Sequence, residues 1–320
     1  MNRASEAVDS VLGFGTTILT VTFASHAVPI EVVLPVVTPL NIALGIGGLV
    51  SLGHAVFFGL GGYAMGILAF HAQTMTPLDL GPLSIPGTKS MPIIWLTAIV
   101  VSAPAAGVIR LLSLRTSGVY FIMITLAFGQ MFYYFAISWT AYGGEDGLSI
   151  WLRNGFPGLN TLVPIQFFGL CFAALLLGLL IHARLRASPF GLALNAARQA
   201  PARVETVGLD PTRLKLLAFV VSGAITGLAG ALYADLNRFV SPTMFDWHLS
   251  GELIVLIVIG GVGRLIGPVI GACLFVALEH LLGGITTYWQ VAFGLILLGI
   301  VLFARGGIVG LLTGRAGPNV

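Results

Sequence analysis

The sequence predicts an all-α fold, a polytopic bundle of transmembrane helices with about 8–10 spans. Three observations predict it. Of 320 residues, 57% are apolar and 8% charged, where a soluble domain carries about 25% charge; an ordinary water-soluble enzyme is thereby excluded. The mean hydropathy is +0.99. Apolar runs near the length of a bilayer span, about 20 residues, recur along the whole chain.

Bounded by charges and by Gly/Pro punctuation, the runs fall at 11–25, 32–46, 48–71, 92–112, 117–139, 165–183, 213–236, 249–262, 266–282 and 287–304. The first is read as a retained helix. Its Arg3 is followed by Glu6 and Asp9, whereas a signal peptide has a positive start and a small-residue cleavage site. The second run is short and holds Pro35 and Pro39, so a broken or partly inserted helix is expected there. The eighth is also short. Irregular backbone at membrane depth survives only under a cover of protein or beside water.

Placing the ends of the runs alternately on two sides sorts the cations. One side collects Arg3, Arg110, Arg115, Arg184, Arg186, Arg198, Arg203, Arg213, Lys215, Arg264, Arg305 and Arg315; the other holds Lys89, Arg153 and Arg238. The positive-inside rule makes the richer side cytoplasmic, with both termini inside. The net charge of +3 therefore reads as topology. Its cations are too scattered to neutralise a row of phosphates, and nucleic acid is excluded as a partner. Cys171 and Cys273 lie within apolar runs and read as small packing residues, with no disulfide or metal site implied.

Glycines at helix-pair spacing, such as Gly59, Gly62 and Gly66 or Gly223, Gly227 and Gly230, let backbones approach where lipid gives helices no hydrophobic reason to associate. The longest polar stretch is 184–212. Ser188-Pro189 is a helix start, since a serine oxygen caps free N–H groups and proline suits the first turn. Gly208 is a stop, and Asp210-Pro211 restarts the chain toward the next span. The segment is either a solvated basic loop that fixes topology or a docking element for a cytoplasmic partner.

The chain carries no engine. A phosphate-cradling G-x-x-x-x-G-K-[ST] loop is missing, and Gly87-Thr88-Lys89-Ser90 has the wrong spacing, so any ATPase is a separate chain. Asp235, Glu252, Glu279 and His280 fall near the predicted outer ends of spans, leaving His54 and Gln130 well inside. An ion relay needs ionisable groups near midplane and is poorly supported. An intramembrane enzyme lacks the H-E-x-x-H and G-x-S-x-G patterns.

Several blocks in order carry a resemblance. They include Asn41, Gly47-Gly48, Ser51-Leu52-Gly53-His54-Ala55 and Tyr63; Leu114-Arg115, Gly118 and Thr125-Leu126-Ala127-Phe128-Gly129-Gln130; and Gly143-Gly144 with Asp146-Gly147-Leu148. Ser188, Gly191, Arg198, Gly208, Lys215-Leu216-Leu217-Ala218-Phe219, Gly227-Leu228-Ala229-Gly230, Gly260-Gly261, Gly267-Pro268 and Arg305-Gly306-Gly307 follow. From about 41 to 310 the chain resembles the permeases of ATP-binding-cassette (ABC) importers for branched-chain amino acids and related small polar solutes. Leu192 and Gln199 stand where that family usually has an arginine and an acid, and Pro201 interrupts the helix early.

The resemblance implies one transmembrane permease domain over 1–320 in a bacterial inner membrane, with 184–212 a cytoplasmic loop carrying a coupling helix. It implies a second permease subunit, two cytoplasmic ATPases that bind the ATP and Mg, and an extracytoplasmic solute-binding protein. This chain itself is expected to bind no cofactor and to have no catalytic residues. Phe190 and Leu194, at i and i+4, are the expected apolar anchors in an ATPase groove, with Arg198, Arg203 and Glu205 the charged contacts. Ser51, His54, Thr125 and Gln130 offer hydrogen bonds along a translocation pathway, although a buried histidine is more often a partner between helices. Glu145 and Asp146 mark a loop that meets the binding protein, or a gate, or a glycine turn capped by Asp146. Alternative functions are a urea or short-amide permease of the same family and, from another class, a stand-alone channel or secondary carrier.

Overall fold

A computed structural model describes residues 37–80, 83–113, 116, 118–283, 289–303 and 306–313. The run expected at 11–25 lies outside the described residues. Helix α1 covers Val37–Ile46, its second half, Ile42–Ile46, wound as a π-helix. The chain then leaves helical geometry and re-enters it at α2, His54–Thr74. The third predicted span therefore starts six residues late, and Ser51 lies in the break rather than on a helix. A short hairpin of β1 (Leu78–Leu80) and β2 (Leu83–Ile85) leads to α3, Met91–Leu112, and α4, Val119–Ser138.

Helix α5, Pro164–Ala187, runs four residues beyond its predicted end. Two short helices follow: α6, Pro189–Gln199, and α7, Pro201–Thr206. Then come α8, Pro211–Asn237, α9, Trp247–Gly260, α10, Gly267–Gly283, α11, Trp289–Phe303, and α12, Gly307–Thr313. Strands β3 (Leu148–Ser149) and β4 (Phe239–Val240) pair antiparallel and tie the α4–α5 connection to the far end of α8.

Helices α2, α3, α4, α5 and α8 are long and apolar enough to cross a membrane; α1, α9, α10 and α11 hold shorter apolar stretches. In the most apolar windows of α2 and α8, 67% and 56% of residues are buried, against 22–28% in α3, α4 and α5. The first pair therefore forms the centre and the other three its outer wall. Ile93, Leu96, Val100, Met123, Phe135 and Leu177 on that wall are exposed, a disposition suited to acyl chains as solvent.

The centre is assembled on small residues. A β-carbon on Gly61 would collide with the backbone carbonyl of Gly227, and one on Gly230 with that of Phe58. Helices α2 and α8 thus touch backbone to backbone, and dispersion between close surfaces replaces the hydrophobic drive that lipid withholds. Helix α3 joins the same contact: Ser102 packs on Gly227 and donates a hydrogen bond to the Phe57 carbonyl at 3.3 Å.

Candidate functional site

The break between α1 and α2 is the irregular feature around which the predicted site residues gather. Breaking a helix inside apolar surroundings strands the last carbonyls of one half and the first N–H groups of the other. Each needs a partner, because a buried unpaired backbone group costs about 1–3 kcal/mol. Here two of the partners come from across the molecule and one from the break itself. Thr125 Oγ1 on α4 accepts from the Leu52 N–H at 3.2 Å and donates to the Ile122 carbonyl at 2.9 Å. Ser51 Oγ accepts from the Gly53 N–H at 3.1 Å. Ser250 Oγ on α9 accepts from the Ala55 N–H at 2.8 Å.

On the other half, Arg198 Nη1 donates to the Gly45 carbonyl at 2.6 Å, placing a cation at the C-terminal end of α1, where the helix dipole favours it. Gly48, at φ +66°, has Arg198 Cγ only 2.8 Å from where a β-carbon would stand. Glycine there both takes the left-handed turn and makes room for the arginine stem. Asn41 completes the frame. Its Nδ2 donates to the Arg264 carbonyl at 2.9 Å and its Oδ1 accepts from the Gly263 N–H at 3.0 Å, fixing the α9–α10 turn against α1.

His54 opens α2 and is fully buried, edge-on to Phe57 and Phe219. Its Nε2 lies 3.0 Å from Ser222 Oγ, which in turn donates to the Pro39 carbonyl at 2.7 Å. The serine has one proton and gives it to Pro39, so its oxygen accepts from His54 Nε2–H. The histidine thereby links α2, α8 and the residues of α1.

Of the four pathway candidates, the structure brings Ser51, His54 and Thr125 together at the break, all fully buried. Their hydrogen bonds go to the chain's own backbone or to Ser222. Gln130 is half-buried further along α4 and stands apart from them. Sequence reading placed Ser222 among the residues of the resemblance but gave it no site role, and it missed Ser250; they lie 168 and 195 positions from their partners, which no local pattern reveals.

The 188–212 segment has the local structure its residues dictate. Ser188 Oγ accepts from the Gly191 N–H at 3.2 Å and starts α6; Pro201 starts α7; Gly208 takes φ +83°; Asp210 accepts from the Thr212 N–H at 2.8 Å and caps α8. That backbone contact, assisted by the Arg213 N–H and charge, holds the Asp210 carboxyl below its usual range.

The anchor assignment changes. Leu194 is 1% exposed and packs with Ile46 and Ala218, with Phe190 half-buried against the same cluster. These two residues fasten α6 to the chain's own bundle, so Leu194 is not available to a partner groove. An i, i+4 apolar pair marks one packing face, and the sequence does not say which of two apolar neighbours that face meets. Arg198 is likewise turned inward. The exposed side of the segment presents Leu192, Asn195, Gln199, Arg203 and Glu205.

At the opposite end of the bundle, Gly143, Gly144 and Gly147 take positive φ, as a tight glycine turn requires. Glu145 and Asp146 are both exposed. The turn is closed by the backbone, Asp146 N–H to the Gly143 carbonyl at 3.1 Å, and neither carboxylate caps it. Beside it Tyr142 Oη lies 3.0 Å from His71 Nε2, and burial pushes the phenol's pKa up. Among the described residues no cluster of three metal-ligating side chains is present.

Five helices long and apolar enough to cross a membrane, packed on small residues, fit a polytopic membrane protein. The family model described as "Branched-chain amino acid transport system / permease component" matches residues 27–305. The chain belongs to that family. It is 28% identical to the high-affinity branched-chain amino acid transport system permease protein LivM of Salmonella typhimurium, over 84% of this chain and 66% of the relative. It is also 28% identical to a probable branched-chain amino acid transport permease protein LivH of Methanocaldococcus jannaschii, over 49% and 50% of the two chains. The ribose import permease protein RbsC of Bacillus subtilis is 26% identical over 52% of each. The chain thus spans 66% of the length of the first of these relatives. No solved structure matches it.

Proposed function

We propose that this chain is the transmembrane permease subunit of an ABC importer for branched-chain amino acids. Separate ATPases would grip the exposed side of 188–212, and a second permease and an extracytoplasmic binding protein would complete the system. The family membership and the branched-chain amino acid permeases among its relatives support the substrate class. The charge distribution supports an orientation with 188–212 and both termini in the cytoplasm of a bacterial inner membrane.

One observation carries the mechanism, the Arg198 to Gly45 hydrogen bond. It joins the helix that an ATPase can reach to the end of α1 at the break. Displacement of α6 pulls directly on backbone whose remaining bonds lead, through Thr125 and Ser250, into α4 and α9. The link is short and built of packed elements, and closure of the ATPases could reorient the break without passing through flexible chain. Substrate passes where few full charges stand, so transient hydrogen bonding replaces tight capture.

The test is Arg198→Ala in the assembled importer, reconstituted in vesicles with ATPase turnover and leucine uptake measured together. Uptake per ATP falls at least about tenfold while hydrolysis persists, since a charged hydrogen bond worth about 1.5–3 kcal/mol is lost from the link. Unchanged coupling in a correctly assembled complex overturns the proposal.

A further inference from the structure

A cavity of about 240 Å³ opens at the end of the bundle that carries 188–212. Its walls include Arg110, Glu205, Gly118, Phe121, Pro211 and Lys215. It holds roughly the liquid volume of eight waters, more than a bare ion needs. Arg110, at the end of α3, is 3% exposed. Its Nη1 donates to the Ser113 carbonyl at 2.9 Å and its guanidinium lies 5.1 Å from the centre of the Phe121 ring. Its Nε is buried and has no hydrogen-bond partner among the described residues. An arginine carries five N–H donors, and a buried guanidinium with donors left over is costly without an anion.

Two further features act in the same sense. Lys215, on the first turns of α8, is half-buried and forms no ion pair among the described residues. Gly118, at φ +60°, begins α4 without any side-chain cap, so the open N–H groups and positive dipole end of a 20-residue helix border the cavity. Glu205 is exposed at the mouth; two cations against one carboxylate leave the lining positive. Val119 and Tyr120, next along α4, are 64% and 74% exposed.

We propose that this cavity binds a phosphate group, seated between Arg110, Lys215 and the start of α4, of the kind carried by an anionic phospholipid headgroup. Basic pockets between helices at the cytoplasmic surface recognise such headgroups. An occupant here would touch Pro201, Pro211 and the Gly48–Val50 stretch of the break at once, so lipid would brace the element that the proposed ATPases move. That consequence rests on the function proposed above; the binding itself does not.

The experiment uses the delipidated full-length chain in detergent, observed by native mass spectrometry with phosphatidylglycerol or phosphatidylcholine added. Inorganic phosphate is offered in a parallel thermal-shift titration. Wild type retains one phosphatidylglycerol in preference to phosphatidylcholine. Lys215→Gln weakens that binding about five- to tenfold, the effect of one charge near the surface, and the exposed Arg186→Gln leaves it unchanged. Arg110→Gln removes the buried cation; circular dichroism reports its folding, and Lys215→Gln carries the test if it misfolds. Stabilisation by inorganic phosphate that depends on Lys215 supports a site open to phosphate from either source, and binding of phosphatidylglycerol alone assigns the headgroup. Equal phosphatidylglycerol binding in wild type and Lys215→Gln, or protection by leucine but by neither phosphate source, overturns it. Because occupancy is read without transport, failure here and failure of the importer reading are separate results.

Discussion

His54 shows how a residue's environment decides between two roles that its identity leaves open. A histidine inside an apolar span is costly unless it has a partner or a task. Its ring is enclosed by two phenylalanines and bonded to Ser222, so no face is left for a passing solute. His54→Ala is therefore expected to cost about 1–2 kcal/mol of stability, the range for hydrogen bonds between membrane helices, with substrate preference unchanged. Thermal unfolding in detergent, together with competition uptake in vesicles, checks this; an altered preference at normal stability would return His54 to the pathway. Arg198 was legible as important from its place in the polar segment, yet its partner was not. Gly45 lies 153 positions away, and no local rule pairs an arginine with a carbonyl at that distance.

At the scale of elements, local chemistry foretold most boundaries. Ser188-Pro189, Pro201, Gly208 and Asp210-Pro211 each act where their side chains or φ preferences require. The long spans α3, α4 and α8 begin and end within two residues of their apolar runs. The largest departures are the end of α5, four residues late, and the start of α2, since apolar content continues straight through 47–53 and hydropathy does not register a change of backbone. The caps give a pH prediction. Because the Asp210 carboxyl is held below its ordinary value of 3.8, its capping contribution is present above that value and lost as pH falls through the lower folded one. Hydrogen exchange of the 212–214 amides should accelerate in that acid range, and Asp210→Asn should abolish the acceleration. Packing gives another. Gly61→Val should cost about 1–3 kcal/mol or more, because the added atoms meet the Gly227 backbone, which has no rotamer to yield. Thermal unfolding measures it, whereas the same change at Gly169, with nothing within 4 Å, should be nearly silent.

For the whole molecule, composition and run length identify the solvent as lipid, and cation placement proposes an orientation. What the sequence leaves hidden is which residues face one another. The pathway candidates are alike as hydrogen-bonding residues, but three of them meet at the α1–α2 break and one stands apart. The paired apolar residues of α6 looked like a plug for a partner and are a rivet to the chain's own bundle. For Thr125, His54 and Leu194 the decisive contacts, with Leu52, Ser222 and Ile46, span more than 70 residues, the kind that pattern and propensity do not encode. In the proposed function the chain is a gate without a motor, its break tied by Arg198 to a surface that separate subunits would move. The most direct test is leucine uptake into vesicles holding this chain with its partner permease, the binding protein supplied on the substrate side, with and without the ATPases and ATP. Uptake is expected only when ATPases and ATP are both present; steady leucine movement through the permeases alone would contradict the account.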